Sequence, residues 1–265
     1  MIEIPFTKLH GAENDFLLTW AHEAPARELP EIAREICART TGIGADGWML
    51  VSGDDGGLRT RLFNSDGSEP EMSGNGTRCA AAFGLIEGVV TGPDIRVMTA
   101  AGLKRLRLIS REGVHFVFEM DMGLPRLEEL HATLSLAGRE FDSTILNVGN
   151  PQCAIFVDEF PVDWLRAAQA AEGHTRFPAR TNVSFVRVLD RHTVEAMFFE
   201  RGAGVTRSSG TGSTGAGAAA ILRKVAENPV QVRTPAGTLS LRWDDSLYLT
   251  GPAQLIGHGR FIFEL

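Results

Sequence analysis

Apolar residues in this chain fall into short alternating runs divided by glycine-rich turns. The runs at 58–63, 95–98, 114–120, 155–157, 183–188, 194–199 and 247–249 predict β-strands. Helical spacing is rarer. Within 29–40, Pro30 stands near a helix start, and Ile32, Ala33, Ile36 and Cys37 share one apolar face. The segment 164–172 is patterned alike, and alanine-rich stretches beginning near Asn75 and Thr211 also predict helix. Strands therefore outnumber helices, without the strand–helix alternation of a Rossmann sheet. No low-complexity linker or heptad run divides the chain.

A length of 265 residues allows a large core in one or two domains. The net charge of −7 argues against a basic nucleic-acid face. No apolar run approaches the roughly 18 residues of a membrane span, and the first residues lack a signal-peptide layout. The three cysteines, Cys37, Cys79 and Cys153, are too few and too scattered for a disulfide framework or a zinc pattern. A reducing cytoplasm is the expected compartment.

A repeat lies beneath this pattern. An offset of 136 residues, the separation of Ser73 and Ser209, places Ser73-Gly74-Asn75-Gly76-Thr77 on Ser209-Gly210-Thr211-Gly212-Ser213. The same offset places Phe63-Asn64 on Phe199-Glu200, Asn14 on Asn150 and Asp46 on Asn182. One gapless shift relating four separated landmarks points to a duplication into two lobes. Each Ser-Gly-x-Gly lies between a strand-like run and an alanine-rich helical run. A helix start there presents unpaired N–H groups and the positive end of its dipole, which suit a carboxylate. Serine is equally a preferred structural cap, so one copy alone says little. Two equivalent copies favour a ligand site.

The blocks Lys8-Leu9-His10-Gly11-Ala12-Glu13-Asn14-Asp15-Phe16, Gly42-Ile43-Gly44-Ala45-Asp46-Gly47 and Asn64-Ser65-Asp66-Gly67-Ser68-Glu69 resemble motifs of the diaminopimelate epimerase family. So do Met72-Ser73-Gly74-Asn75-Gly76-Thr77-Arg78-Cys79, Gly149-Asn150-Pro151, Arg180-Thr181-Asn182-Val183, Glu200-Arg201-Gly202 and Gly210-Thr211-Gly212, all in family order. The resemblance implies an α/β (α+β) fold of two pseudo-symmetric lobes, each a curled, mostly antiparallel sheet around a central helix. The lobes are expected at 1–110 plus 254–265 and at 111–253, with the last strand returning to the first lobe and the ligand between them. The implied activity is inversion of the α-carbon of a diamino-dicarboxylate, from LL- to meso-diaminopimelate, on the lysine and peptidoglycan pathway. Neither cofactor nor metal is implied, and the partners are a small amino-acid substrate and a second copy in a homodimer. Carried over by motif, Asn14, Asn64, Asn150, Asn182, Glu200 and Arg201 grip the substrate ends, and main-chain N–H groups at Gly74-Asn75 and Gly210-Thr211 hold its α-carboxylate.

Inversion without a cofactor needs a base on one face of the α-carbon and an acid on the other. The family uses two cysteines; Ser73 and Ser209 stand at those positions, and Gln152 stands where a histidine is usual. A hydroxyl is far less acidic than a thiol and needs an adjacent base. Gln152 cannot be that base, whereas Glu200 can serve Ser209 if geometry permits. Three coordinated departures fit a divergent branch better than engineering, since Cys79 beside the motif is unchanged. The alternatives are a ligand-binding pseudoenzyme and a related isomerase or dehydratase of a small amino or hydroxy acid. In the epimerase reading, Ser73 and Ser209 face each other across one cleft, each just ahead of a helix start. Elsewhere, His10 reads as site-shaping or structural, His115 and His174 lack metal spacing, Cys79 reads as packing, and Asp54-Asp55-Gly56-Gly57 reads as a solvated turn.

Overall fold

The structure, a computed structural model, describes residues 1–26 and 28–264. It divides into two compact units, Met1–Met120 with the residues from Gly251 onward, and Asp121–Thr250.

The first unit contains β1 (Ile2–Gly11), β2 (Asn14–Trp20), α1 (Leu29–Cys37), β3 (Gly47–Asp54), β4 (Gly57–Asn64), α2 (Gly74–Ile86), β5 (Asp94–Thr99), β6 (Gly102–Glu112) and most of β7 (His115–Gly123). The second contains β8 (Arg126–Leu136), β9 (Arg139–Asn147), β10 (Pro151–Phe156), α3 (Trp164–Glu172), β11 (Asn182–Asp190), β12 (Thr193–Glu200), β13 (Gly204–Thr206), α4 (Gly210–Leu222), β14 (Val230–Thr234) and β15 (Gly237–Trp243). The last strand, β16 (Leu247–Phe263), begins in the second unit and ends in the first.

In the first unit β1 to β7 follow in order, and β16 pairs with both β7 and β1, so eight strands close on themselves. In the second the order is β8-β9-β10-β11-β12-β14-β15 and then the first residues of β16, with β13 added to β12. Antiparallel pairing prevails, and the parallel exceptions are β2–β3, β4–β5, β10–β11 and β12–β14. Each exception has a helix between its strands, as a parallel crossover requires. The offset of 136 carries β4 onto β12 and α2 onto α4 end to end. The α+β fold with two matching units, read from the sequence, is thus observed.

Two kinds of helix serve each unit. α1 is amphipathic and buries Ile32, Ala33, Ile36 and Cys37 in a core with Trp48, Leu50 and Phe63. Each large side chain buried there contributes about 1.5–3 kcal/mol. α3 plays the same part, packing Ala167, Ala168 and Ala171 against Phe141, Ile155 and Phe185. α2 and α4 instead are buried along most of their length and touch several strands of their own sheet. Alanine and glycine make this possible: a Cβ on Gly84 would lie 2.7 Å from Leu58, and one on Gly217 2.6 Å from Leu241.

α1 ends at Cys37, three residues short of the expected 40. Ala38 turns extended, and the N–H groups of Ile43 and Gly44 return to donate to the Ile36 carbonyl. Gly42 permits this return, because a Cβ there would lie 2.0 Å from the Glu35 oxygen.

Candidate active site

Ser73 and Ser209 are the N-caps of α2 and α4. Both have extended backbones, with φ/ψ of −124°/126° and −135°/125°. The Ser73 hydroxyl accepts from the Gly76 N–H at 3.1 Å, and the Ser209 hydroxyl accepts from the Gly212 N–H at 2.9 Å. The second glycine of each motif makes room for this closure. A Cβ at Gly76 would lie 2.8 Å from the Met49 methyl, and one at Gly212 would lie 2.7 Å from the Phe198 ring and 2.8 Å from the Ser209 oxygen. The N–H groups of Gly74, Asn75, Gly210 and Thr211 precede the first intrahelical bonds and so remain donors. Neither first turn carries an acidic residue, which keeps both helix starts electropositive.

In the first unit, Asn14 donates from Nδ2 to Asp46 Oδ2 at 2.6 Å, and its Oδ1 accepts from Asn75 Nδ2 at 3.3 Å. Asn75 in turn accepts at Oδ1 from Arg78 Nη2 at 2.5 Å. Arg78 is fully buried and also donates to the Pro252 carbonyl at 3.0 Å. Burial pushes its guanidinium down to about 10, which still leaves it charged at neutral pH. An ion cluster steadies Asp46: Asp15 pairs with Lys8 at 3.0 Å and with Arg39 at 2.8 Å, and Arg39 also pairs with Asp46 at 2.8 Å. Burial raises the Asp15 carboxyl, but its bonds to Arg39 and Lys8 outweigh burial and hold it below the usual carboxylate range. Asn64 stands at the end of β4 and bonds locally, donating to the Ser68 hydroxyl at 3.0 Å.

In the second unit, Gln152 donates from Nε2 to Asn150 Oδ1 at 2.6 Å, and Asn150 donates from Nδ2 to the Thr211 hydroxyl at 3.2 Å. Asn182 donates to the Pro151 carbonyl at 2.9 Å and accepts from the Arg201 N–H at 3.0 Å. Glu200 closes β12 opposite Gly204, and exposed Arg201 donates to the Ala179 carbonyl at 3.3 Å. Four buried side-chain atoms among the described residues lack a hydrogen-bond partner: Gln152 Oε1, Thr206 Oγ1, Ser208 Oγ and Ser213 Oγ. All four belong to the second unit.

The structure thus gathers Ser73, Gly74, Asn75 and Asn14 at one helix start, with Ser209, Gly210, Thr211, Asn150 and Gln152 at the other. Arg78, Asp15, Arg39 and Glu172 are supporting residues that the sequence reading passed over. Glu172 accepts from the Gly202 N–H at 3.1 Å and so braces the turn after Glu200. A single charged residue inside an otherwise uncharged helical pattern was the available signal for Arg78, whereas Glu172 closes a helix that also carries Arg166 and Gln169 and stood out by nothing in the sequence. His10 bonds to Gln254 at 3.2 Å and accepts from the Glu13 N–H at 3.3 Å. Cys37, Cys79 and Cys153 are buried, and burial pushes each thiol up to about 12, so they are packing groups at neutral pH. A cavity of about 690 Å³ near Leu29, Leu50 and Met98 is lined in part by Arg59 and Arg61 of β4, which pair with Asp54 and Glu69, and by none of the residues gathered at the two helix starts. No helix among the described residues is long and apolar enough to cross a membrane.

Residues 6–127 and 144–256 match the profile of the diaminopimelate epimerase family. A diaminopimelate epimerase of Moorella thermoacetica is 39% identical over 276 residues, covering 97% of this chain and 98% of the relative. Among solved structures, a phenazine biosynthesis protein of the PhzF family from Bacillus anthracis has a TM-score of 0.76 at 16% identity, covering 99% of this chain and 100% of its own. A hydroxyproline epimerase from Agrobacterium vitis, solved with trans-4-hydroxy-L-proline, has a TM-score of 0.76 at 16% identity and covers 97% of this chain and 92% of its own. At such identities the two structures speak for the fold.

Proposed function

Because the chain belongs to the diaminopimelate epimerase family, we propose that it inverts the α-carbon of a diamino-dicarboxylate of the LL-diaminopimelate type without a cofactor. The observation that carries this reading is the pair of helix starts, one per unit, capped by serine and free of acidic residues. Each offers two main-chain N–H donors to an α-carboxylate, where negative charge grows as the α-proton leaves. Asn14, Asn64, Asn150, Asn182, Glu200 and Arg201 hold the ligand ends in this reading. Ser73 and Ser209 address opposite faces of one α-carbon, with Glu200 assisting Ser209. The cytoplasm is its place of action, as a homodimer.

A second reading, binding without turnover, is favoured by one specific observation. Both serine hydroxyls are engaged as helix caps, and Gln152, where the family usually has histidine, has no side-chain group that works as an acid or base at physiological pH. Incubation with LL-diaminopimelate in deuterated water, beside calorimetric titration, separates the two. Loss of the α-proton signal with formation of the meso isomer is the expected result, abolished in Ser73→Ala and Ser209→Ala. Binding without exchange, at high protein concentration and long times, establishes the second reading instead. Absence of both sinks both.

A further inference from the structure

We infer that Gln152 is a positioning residue that sets the polarity of the hydroxyl at the start of α4, so that Thr211 donates from its side chain as well as its backbone toward a bound carboxylate. The inference rests on the functional reading above only for the identity of the ligand.

Gln152 is 1% exposed and packs against Gly215 of α4. A Cβ on Gly215 would come within 3.0 Å of its Cγ and 3.1 Å of its Cβ, so the glycine is what admits it. One turn earlier on the same helix face is Thr211. Between them the bonds run in one direction, from Gln152 Nε2 to Asn150 Oδ1 at 2.6 Å and from Asn150 Nδ2 to Thr211 Oγ1 at 3.2 Å. A hydroxyl that accepts from an amide keeps its own hydrogen for another acceptor. Thr211 is partly exposed and sits second in the helix, where its backbone N–H also lacks an intrahelical partner.

The direction of the relay follows from the one orphan it leaves. As it stands, Gln152 Oε1 is buried without a partner. Turning both amides around would instead bury an NH2 group with two unmet hydrogens, and orphaned donors are rarer than under-used carbonyl oxygens. The equivalent relay in the first unit runs oppositely. There Asp46, an acceptor only, claims Nδ2 of Asn14, and Asn14 then accepts from Asn75. The side chain at the start of α2 therefore donates inward, to Asn14, while the one at the start of α4 accepts from inside and keeps its hydrogen for an outward partner.

Gln152→Glu converts the head of the second relay into an acceptor of nearly the same shape. Asn150 then turns its Nδ2 to Glu and its Oδ1 to Thr211, whose hydrogen is consumed. In the full chain, Gln152→Glu and Thr211→Val should each weaken calorimetric LL-diaminopimelate binding about tenfold. The double variant should be no weaker than the worse single, and Gln152→His, which retains an N–H donor, should recover most of the affinity. Additive losses overturn the inference. Ligand-free nuclear magnetic resonance supplies a readout independent of activity and ligand identity, and also reports folding of the variants. The Asn150 side-chain NH2 signals should move in both Gln152→Glu and Thr211→Val; if Thr211→Val leaves them in place, the relay does not exist. Moved signals with unchanged affinity in Thr211→Val overturn the carboxylate-donor role. Moved signals in a chain that never binds LL-diaminopimelate support the relay and count against the functional reading alone.

Discussion

At the start of α2, Arg78 reaches back from the second helical turn to Asn75 and Pro252, and Asn75 passes its remaining bond to Asn14 and so to Asp46. At the start of α4, the residue equivalent to Arg78 is Thr214, which bonds only within its helix, to the Gly210 carbonyl at 2.8 Å. Nearby lie Ser208, Ser213 and Gln152, each with a buried atom that has no partner. The two caps are nonetheless alike, with φ of −124° and −135°, ψ of 126° and 125°, and cap bonds of 3.1 and 2.9 Å. Duplication has thus kept what the backbone supplies and changed what the side chains behind it do. The first helix start is cross-braced and charged from behind; the second is neutral and under-bonded.

The largest test of this contrast removes the brace. Arg78→Ala opens a cavity and strands the Pro252 carbonyl and Asn75 Oδ1, so urea unfolding should show a loss of about 3–5 kcal/mol. Thr214→Ala forfeits one bond and should cost about 0.5–1.5 kcal/mol. Equal losses would erase the difference between the units.

Next comes the ion cluster. Asp15→Asn should cost about 1–3 kcal/mol at neutral pH, since it weakens charged bonds to Lys8 and Arg39. Because the folded Asp15 carboxyl titrates below its ordinary value of 3.8, its contribution is complete above that value and is lost as the pH falls through the lower folded one. The Tm of the unaltered chain should therefore drop more steeply than that of Asp15→Asn as the pH falls below 3.8. Asp142 in the second unit is likewise held low, by Arg223, but its side chain is 53% exposed and Asp142→Asn should cost under about 1 kcal/mol. Parallel Tm curves for the unaltered chain and Asp15→Asn would place the acid sensitivity elsewhere.

The smallest effect carries opposite signs. The Thr77 hydroxyl donates to the Ser73 carbonyl at 2.7 Å, whereas its counterpart on Ser213 is unpartnered. Thr77→Val should lower stability by about 0.5–1.5 kcal/mol, and Ser213→Ala should be neutral or stabilising by up to about 1 kcal/mol. Thermal unfolding distinguishes the two, and a clear loss in Ser213→Ala would mean that its hydroxyl is satisfied in solution.

Much of this was legible in the sequence because it depends on residue types with local meaning. The Ser-Gly-x-Gly pairs predicted both caps, the alanine-rich stretches predicted both buried helices, and the apolar face of α1 appeared as read. β8 and β9 were not predicted. Glu128, Glu129, His131, Arg139 and Glu140 mask their alternation, and their inward positions, such as Ala132, Leu134 and Phe141, are recognisable only once the sheet is known. The relays at the helix starts were hidden for a different reason. Asn150 and Thr211 are 61 positions apart, as are Asn14 and Asn75. Spacing along a chain says nothing about which way an amide turns.

The closing strand has a consequence for synthesis. Ile2 pairs with Phe263 and His10 with Gln254, so β1 meets its partner only after nearly the whole chain has been made. At about 5–20 residues per second, that wait is roughly ten to fifty seconds on the ribosome. Throughout it, one edge of β1 presents unpaired N–H and C=O groups beside Phe6 and Leu9, a template for any other nascent strand. The second unit has no such delay, because its strands join neighbours made shortly before or after them. The unit translated first is therefore the one completed last, and its unfinished edge is where a chaperone has most to protect.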